Sequence, residues 1–319
     1  MKKIIKTTSS LLFAGVVAAG AMVAPTMAQA AGERFVLVSH ADDADSWWNT
    51  IKNAIKEAGS AVDAKVEYRN PPTGDLADMA RIVEQAVASN PDGLIVTIAD
   101  YDVLKGPISK AVKKGIPVIT INSGTAQQSE KLGALMHVGQ PEYDAGFGAG
   151  KKAKAAGVKS FVCVNHYIEN PASVERCQGF ADAIGTDLKG NMIDVGKDPL
   201  DIEKKVQAYL RKNANTEAVL TLGPTSAHPT LRALNKTKQA GKVYFGTFDL
   251  SSEIAAAIKS GTIEFAIDQQ PYLQGYMPVT VLSLYSRYGI APSNDINSGP
   301  GFITKDNIAQ VEKLAGEVR

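Results

Sequence analysis

The chain has 319 residues, of which 45% are hydrophobic and 21% are charged, with 34 basic against 33 acidic side chains. This near-neutral composition gives no sign of a nucleic-acid partner, and the length is ample for two domains of ordinary size. Beyond the N-terminal apolar stretch, no segment of the sequence is apolar enough to span a bilayer.

The N-terminus predicts export. Three lysines within the first six residues precede an apolar stretch over residues 11–23, and Ala28-Gln29-Ala30 supplies an A-x-A cleavage site. A membrane anchor is the competing interpretation, but this stretch is shorter than the ~20 residues that a span needs. We therefore predict a signal peptide over residues 1–30 and a mature protein that starts at Ala31 in the periplasm, with 31 basic against 33 acidic side chains.

Short β-branched runs alternate with longer amphipathic segments along the mature chain, which is the pattern of parallel α/β units. Ser46 is expected to cap the first helix and Gly59 to end it. The first half predicts strands over residues 35–38, 66–68, 94–98, 117–121 and 135–138, and helices over 46–59, 75–89 and 103–114.

A second half follows the break at Gly139-Gln140-Pro141 and repeats the alternation. Its predicted helices cover residues 142–156, 172–184, 200–213, 227–240 and 251–260, and its strands cover 161–164, 192–195, 218–222, 243–247 and 263–267. A long helix over 272–288, with Pro271 in its first turn, and a break at 298–301 precede a terminal strand and helix. The predicted fold class is α/β, with two doubly wound lobes joined by a three-segment hinge.

Polar side chains follow the predicted strands at the edge where open α/β sheets bind ligands. Carboxylates accept hydroxyl protons strongly, and amides both donate and accept, so these side chains suit a sugar. Those expected to meet in a cleft between the lobes are His40, Asp100, Asn122, Asn165, His166, Asp249 and Gln269.

The order and spacing of several motifs resemble those of type I periplasmic solute-binding proteins of the ribose- and galactose-binding kind. The matching pieces spread over residues 34–303 and include Asp45-Ser46-Trp47-Trp48, Pro91-Asp92-Gly93, Val138-Gly139-Gln140, Thr247-Phe248-Asp249 and Asp268-Gln269-Gln270-Pro271. The resemblance implies an N-terminal lobe of residues 31–139 and 270–300 and a C-terminal lobe of residues 140–269 and 301–319. It also implies that an ABC transporter permease in the inner membrane is the partner.

The resemblance places stacking aromatics at Trp47 and Trp48. Adjacent helical residues point about 100° apart, so one of the two is expected in the core, and we favour Trp48 for the cleft. Asp249 could instead cap the following helix, Asn122 could hold a turn, Gln269 could staple the hinge, and His40 and His166 could be ordinary loop histidines.

The chain departs from the ribose-binding pattern at three places that carry ligand contacts. Asn122-Ser123 replaces an Asp-Arg pair, Val174 stands at an arginine position, and Gly223-Pro224 replaces an Asn-Asp pair. The pocket is therefore expected to rely on five other residues, Asn165, His166, Glu169, Asn170 and Ser173. Without an arginine fork, and with Arg176 assigned a structural place in its helix, the predicted ligand is a small neutral sugar or polyol other than ribose.

An exported enzyme acting on a small hydroxylated metabolite is the rival class, but no Gly-x-Ser-x-Gly, Gly-x-Gly-x-x-Gly or His-Glu-x-x-His motif supports it. A sugar-responsive repressor core is excluded by the signal peptide and the missing DNA-binding helices. A binding protein that presents a sugar signal to a chemoreceptor or sensor stays open. We expect a monomer without catalysis, cofactor, metal or nucleic acid.

Cys163 and Cys177 are the only cysteines in the chain. The first ends a predicted strand and the second lies in the helix that follows it. In an oxidising compartment such a pair can form a disulfide. Two buried free thiols are the alternative, because a bridge needs Cα atoms within about 7 Å and the sequence does not give that distance.

Overall fold

A computed structural model describes residues 32–319, which form two six-stranded sheets. The predicted signal peptide, residues 1–30, lies outside the described residues. We call the parts built on the first and second sheets the N-terminal and C-terminal lobes. The predicted fold class, two doubly wound α/β lobes joined by three segments, is confirmed. In the part of the chain that the structure describes, no helix has the length and apolarity to cross a membrane.

The sheet of the N-terminal lobe is parallel throughout. Its strands, in the spatial order β11-β5-β4-β3-β1-β2, are β1 (Arg34–Val38), β2 (Lys65–Arg69), β3 (Gly93–Val96), β4 (Val118–Ile121), β5 (Met136–Gly139) and β11 (Ile296–Asn297). The helices of this lobe are α1 (Trp48–Val62), α2 (Leu76–Ala88), α3 (Tyr101–Lys113), α4 (Ala126–Leu132) and α10 (Pro271–Tyr288). Helix α4 and strand β11 are absent from the sequence-based expectation.

The C-terminal lobe repeats this arrangement. Its strands, in the order β12-β10-β9-β8-β6-β7, are β6 (Phe161–Asn165), β7 (Met192–Asp194), β8 (Ala218–Thr221), β9 (Tyr244–Phe248), β10 (Phe265–Asp268) and the antiparallel β12 (Gly301–Thr304). Its helices are α5 (Glu142–Ala155), α6 (Pro171–Ile184), α7 (Pro199–Lys212), α8 (Pro224–Lys236) and α9 (Ser252–Ser260). The predicted terminal helix is instead a pair of short 3-10 helices, Ile308–Gln310 and Glu312–Leu314.

The two sheets share one strand order, so each strand of one lobe has a counterpart in the other. Strand β4 corresponds to β9, and β5 corresponds to β10. The central strands are fully buried and mostly apolar because helices cover both faces of each sheet, and the core forms one apolar cluster on each face. The carboxyl ends of these strands carry the polar residues of the site.

The ends of helix α1 differ from the sequence-based expectation. Ser46 does not cap the helix; the turn before it is fixed by Asp45, whose Oδ1 accepts a hydrogen bond from the Trp47 N–H at 3.2 Å. Gly59 does not end the helix, which continues to Val62 and stops at Asp63 in the left-handed conformation. A Cβ at Gly59 would lie 2.8 Å from the Ala64 carbonyl oxygen, so glycine lets the departing chain fold back against the helix.

The chain passes between the lobes after β5, after β10 and between β11 and β12. The second and third crossings are hydrogen-bonded to each other: Gln270 Nε2 donates to the Ser298 carbonyl at 2.6 Å, and Gln274 Nε2 donates to Ser298 Oγ at 3.0 Å. A Cβ at Gly299 would lie 2.7 Å from Gln140 Oε1 of the first crossing. The division of the lobes at residues 139, 269 and 300 stays a prediction at the level of single residues.

Candidate ligand-binding cleft

A cavity of about 610 Å³ lies between the lobes and is lined by residues of both. This volume falls within the range of roughly 300–1,000 Å³ that is typical of small-molecule sites. Most of the residues singled out from the sequence line it. They are His40, Trp47, Trp48, Asn122, His166, Asn170, Asp249 and Gln269.

Gln269 forms the floor of the cavity at the second crossing and contacts both lobes. Its Nε2 donates to Asp249 Oδ1 at 2.7 Å, and its Oε1 accepts from Asn122 Nδ2 at 3.1 Å. Gln274 Nε2 also donates to Gln269 Oε1, at 3.2 Å, which fixes the amide orientation from the hinge side. One buried amide therefore links a polar residue of the N-terminal lobe to a carboxyl group of the C-terminal lobe.

Asn122 and Asp249 occupy equivalent positions, since they follow the corresponding strands β4 and β9. Both residues have left-handed backbones, with φ values of 59° and 62°. This conformation is unfavourable for a residue with a side chain, although Asn and Asp tolerate it best, and it concentrates at functional sites. Two corresponding strand ends, one in each lobe and both with a strained backbone, thus present an amide and a carboxyl group to the cavity.

Burial raises the pKa of Asp249 to about 7, against the opposing effects of the Arg176 charge and the hydrogen bond from Gln269. A carboxyl group in this range exists in both protonation states near neutral pH. Ligand hydroxyl groups that donate to the carboxylate would favour its ionised form. Asp249 can therefore accept hydrogen bonds strongly once such a ligand is present.

Arg176 lies in helix α6 as expected, but its guanidinium reaches the cavity wall. The expectation of a purely structural arginine is therefore incomplete. Its Nε and Nη2 donate to the two carboxylate oxygens of Glu142 at 2.7 Å each, and Nη1 donates to the Leu222 carbonyl at 3.1 Å. The guanidinium carbon lies 4.4 Å from the centre of the Phe248 ring. Three of its five N–H groups are thus engaged, and its charge is balanced by a buried carboxylate.

An aromatic wall from the N-terminal lobe closes one side of the cavity. Trp48 makes edge contacts with Trp47 and His40, at ring-centre distances of 5.1 and 5.3 Å. Both tryptophans line the cavity, but the more exposed of the two is Trp47 and not the favoured Trp48. Trp48 is 2% exposed and belongs to the apolar core of the lobe, whereas Trp47 is partly exposed.

His40 and His166 contribute neutral imidazoles. Burial, aided by nearby positive charges, lowers the pKa of His40 to about 3 and that of His166 to about 4. His40 Nδ1 lies 3.0 Å from Thr97 Oγ1, and His166 Nδ1 lies 3.1 Å from Ser226 Oγ. Each ring therefore keeps Nε2 as a donor or acceptor for a hydroxyl group, according to its tautomer.

Side chains of the two lobes also meet directly in contacts that do not involve Gln269. Lys197 Nζ lies 3.2 Å from Asp42 Oδ2 and 4.4 Å from the centre of the Tyr167 ring. The Tyr167 ring in turn lies against His40, with ring centres 5.4 Å apart. Asn170 Nδ2 donates to Ser123 Oγ at 2.9 Å. The two lobes are thus joined by direct side-chain contacts as well as by the crossings.

Two residues expected in the cleft lie outside its lining. Asp100 caps helix α3, where its Oδ1 accepts from the Val103 N–H at 2.9 Å. Asn165 is buried at the end of β6; its Oδ1 accepts from the Tyr167 N–H at 2.8 Å, and its Nδ2 contacts Met192 Sδ at 3.5 Å. Both side chains serve local structure, and we leave them out of the proposed ligand set. Of the two further candidates from the sequence, Ser173 lines the cavity and Glu169 does not.

The fold and this cleft can be compared with known proteins. A family model described as periplasmic binding protein domain matches residues 35–289. The chain belongs to this family. It is 24% identical to the xylose/arabinose-binding protein of Sulfolobus acidocaldarius over 270 residues, which is 80% of this chain and 67% of that protein. It is also 24% identical to the ribose import binding protein of Haemophilus influenzae, covering 88% of this chain and 91% of that one.

Among solved structures, this periplasmic binding protein is similar to a carbohydrate transporter from Acidothermus cellulolyticus in complex with myo-inositol. The two are 30% identical with a TM-score of 0.84, and the match covers 89% of this chain and 98% of the other. A solute-binding protein from Agrobacterium vitis with bound D-fucose shares the fold, with a TM-score of 0.78 at 22% identity. The relatives named here are binding and transport proteins.

Several cavity residues of this periplasmic binding protein escaped the sequence-based prediction. They are Asp42, Asp45, Ser123, Tyr167, Arg176, Lys197, His228 and Arg232. Tyr167 directly follows the predicted His166, so the position of His166 after β6 could also have predicted Tyr167 as a cavity residue. Lys197 precedes α7 on the edge of the C-terminal sheet, and only the approach of the two lobes brings it to the cleft.

The structure joins Cys163 and Cys177 in a disulfide, with their Cα atoms 5.8 Å apart. Both cysteines are fully buried in one apolar cluster of the C-terminal lobe, Cys163 in strand β6 and Cys177 in helix α6. Within residues 32–319, no three His, Cys, Asp or Glu side chains are grouped so as to hold a metal ion.

Proposed function

We propose that this periplasmic binding protein captures a small neutral sugar or polyol between its lobes and delivers it to an ABC importer. One observation carries the proposal: Gln269 bridges Asn122 and Asp249 beneath a cavity that both lobes line. A ligand there can bond to strand ends of both lobes at once. Such a ligand favours the closed arrangement because only that arrangement offers all of its contacts.

The charges around the cavity favour a neutral ligand. Arg176 is paired with Glu142, Lys197 with Asp42, and Arg232 with Glu203 at 3.2 Å. Asp249 adds a carboxyl group at the floor. An anionic ligand would have to compete with these carboxylates for each cation, whereas hydroxyl groups can donate to Asp249 and accept from the amides and imidazoles.

The aromatic wall suits the C–H face of such a ligand. A pyranose or a cyclic polyol has one face poor in hydroxyl groups, which packs favourably against an indole. Trp47 is the partly exposed aromatic of this wall. The myo-inositol complex of the Acidothermus relative makes cyclic polyols the first compounds to test beside aldoses.

The relatives support the ABC importer as partner, and the predicted signal peptide supports the periplasm as the compartment. Periplasmic binding proteins and a ribose import binding protein are among the matches. We propose a monomer in the periplasm that binds without chemical conversion. Size-exclusion chromatography and N-terminal sequencing of the exported protein test the first two points.

A thermal-shift screen of the mature chain tests the function directly. The panel contains myo-inositol, aldopentoses, aldohexoses and linear polyols, together with uronates and aldonates. A ligand at 100 times its dissociation constant should add about 2.7 kcal/mol to the free energy of unfolding. Stabilisation by at least one neutral compound, recovered chemically unchanged, is expected. Turnover of that compound would contradict a pure binding function.

A further inference from the structure

The Cys163–Cys177 disulfide encloses the loop that supplies much of the C-terminal wall of the cavity. Residues between the two cysteines that line the cavity are His166, Tyr167, Asn170, Ala172, Ser173 and Arg176. We infer that this disulfide is a positioning element for ligand binding: it holds the β6–α6 segment in its binding-competent arrangement. The inference rests on the proposed function.

The bridge stands at the base of the segment. Cys163 lies in β6 two residues before Asn165, and Cys177 directly follows Arg176 in α6. Their bond therefore fixes the second turn of α6 against the strand. This constraint acts on both ends of residues 164–176 at once. A shift of α6 along β6 would move the Arg176 guanidinium relative to Asp249 and Gln269.

Within the C-terminal lobe, Arg176 is bonded to Glu142 and Leu222 at the helix end of the segment, whereas few side-chain bonds hold the loop over residues 166–170 to the rest of that lobe. The Tyr167 N–H donates to Asn165 Oδ1 at 2.8 Å, and His166 Nδ1 lies 3.1 Å from Ser226 Oγ. The bond from Asn170 to Ser123 reaches the other lobe. Lobe opening removes that bond, so the open protein depends more on restraints within its own lobe. The disulfide is such a restraint and does not depend on closure.

A rival account assigns the position of α6 to its packing on α5. Gly146 and Gly179 allow these helices to approach closely, since a Cβ at Gly146 would collide with the Arg176 carbonyl and one at Gly179 with the Tyr143 carbonyl. If this packing alone fixes the segment, loss of the disulfide lowers stability and leaves the cavity unchanged. The two accounts differ in the behaviour of residues 164–176 in the folded protein.

The test compares the mature chain with its Cys163→Ala/Cys177→Ala variant. Ile258→Ala is the control, because Ile258 is fully buried in helix α9, away from the cavity lining, and its truncation also lowers stability. Hydrogen exchange is followed without ligand. Affinity is then measured for myo-inositol and for the neutral compound that stabilises the wild type best.

We expect the cysteine variant to lose protection by about ten-fold across residues 164–176, with β3 and β4 of the other lobe unchanged, and to bind about ten-fold more weakly through faster dissociation. Ile258→Ala should show neither local change. Unchanged exchange and affinity in the cysteine variant would overturn the inference. If the wild type binds no compound of the panel, the proposed function fails and the exchange measurement alone decides the role of the disulfide.

Discussion

Gln269 Nε2 donates to Asp249 Oδ1 at 2.7 Å, so a hinge amide and a cleft carboxyl group form one buried unit. Asp249→Ala should remove ligand hydrogen bonds at a cost of about 1–3 kcal/mol in binding while preserving the fold. Calorimetric titration against the wild type measures this loss. Equal affinities would show that Asp249 does not contact the ligand.

Gln269→Ala should differ from Asp249→Ala, because Gln269 also accepts from Asn122 of the other lobe. Its removal is expected to weaken binding and also to change the distribution between open and closed arrangements. Small-angle scattering of both variants without ligand separates the two effects. A Gln269→Ala profile identical to that of Asp249→Ala would contradict a hinge role for this glutamine.

The pH dependence of stability should report on Asp249. Its pKa is raised from 3.8 to about 7 in the folded protein, mainly by burial. The folded state therefore holds this proton more tightly than the unfolded state, so the contribution to stability is full below about pH 4 and is lost as the pH rises through about 7. Urea unfolding of the wild type and Asp249→Asn from pH 4 to 8 should show this decline as a difference between the two proteins, because the shifted pKa values of Asp45, His40 and His166 act on the stability of both. Parallel curves would show that the carboxyl group titrates normally.

The Lys197–Asp42 pair should favour closure modestly. Its side chains are 35% and 18% exposed, and such pairs contribute on the order of 0.2–1 kcal/mol. A double-mutant cycle with Lys197→Ala and Asp42→Ala should give a coupling energy in ligand affinity that shrinks as salt is added. Lys105→Ala is the matched control, because Lys105 pairs with Asp102 within a single helix. Zero coupling at low salt would show that the contact does not stabilise the closed form.

Trp47 should be the main source of a fluorescence response to ligand. It is partly exposed at the cavity, whereas Trp48 is 2% exposed in the core. Trp47→Phe should keep its stability and lose most of the ligand-dependent emission change, while Trp48→Ala should destabilise the lobe by about 3–5 kcal/mol. A full response in Trp47→Phe would place the ligand nearer Trp48.

The cavity residues at strand ends are the ones that the sequence predicts best. Asn122, Asp249 and Gln269 each follow a short buried run, and parallel strands bring such positions to one edge of a sheet. The sequence does not predict which of Trp47 and Trp48 is the more exposed, because the expected cap at Ser46 is absent and the helix starts later. Asp100 shows the opposite problem, since the same strand-end pattern also fits a helix cap.

Residues that meet across the lobes could not be placed from the sequence. Lys197 and Asp42 are 155 positions apart, and their contact exists because the two lobes approach each other. The sequence predicts the helix that holds Arg176, but not that its side chain lines the cavity and pairs with Glu142, which is 34 positions away. Local sequence patterns predict the helix, strand or loop in which such a residue lies, but not the side chains that it contacts.

Titration of the mature chain with matched neutral and acidic ligands, followed by tryptophan emission, tests the central claim most directly. Each pair consists of an aldose and its uronate or aldonate, with myo-inositol as an added neutral ring. Saturable binding of a neutral compound is expected, with its acidic counterpart much weaker because each cavity cation is already paired. Micromolar binding of a sugar acid, with its neutral counterpart inert, would contradict the claim.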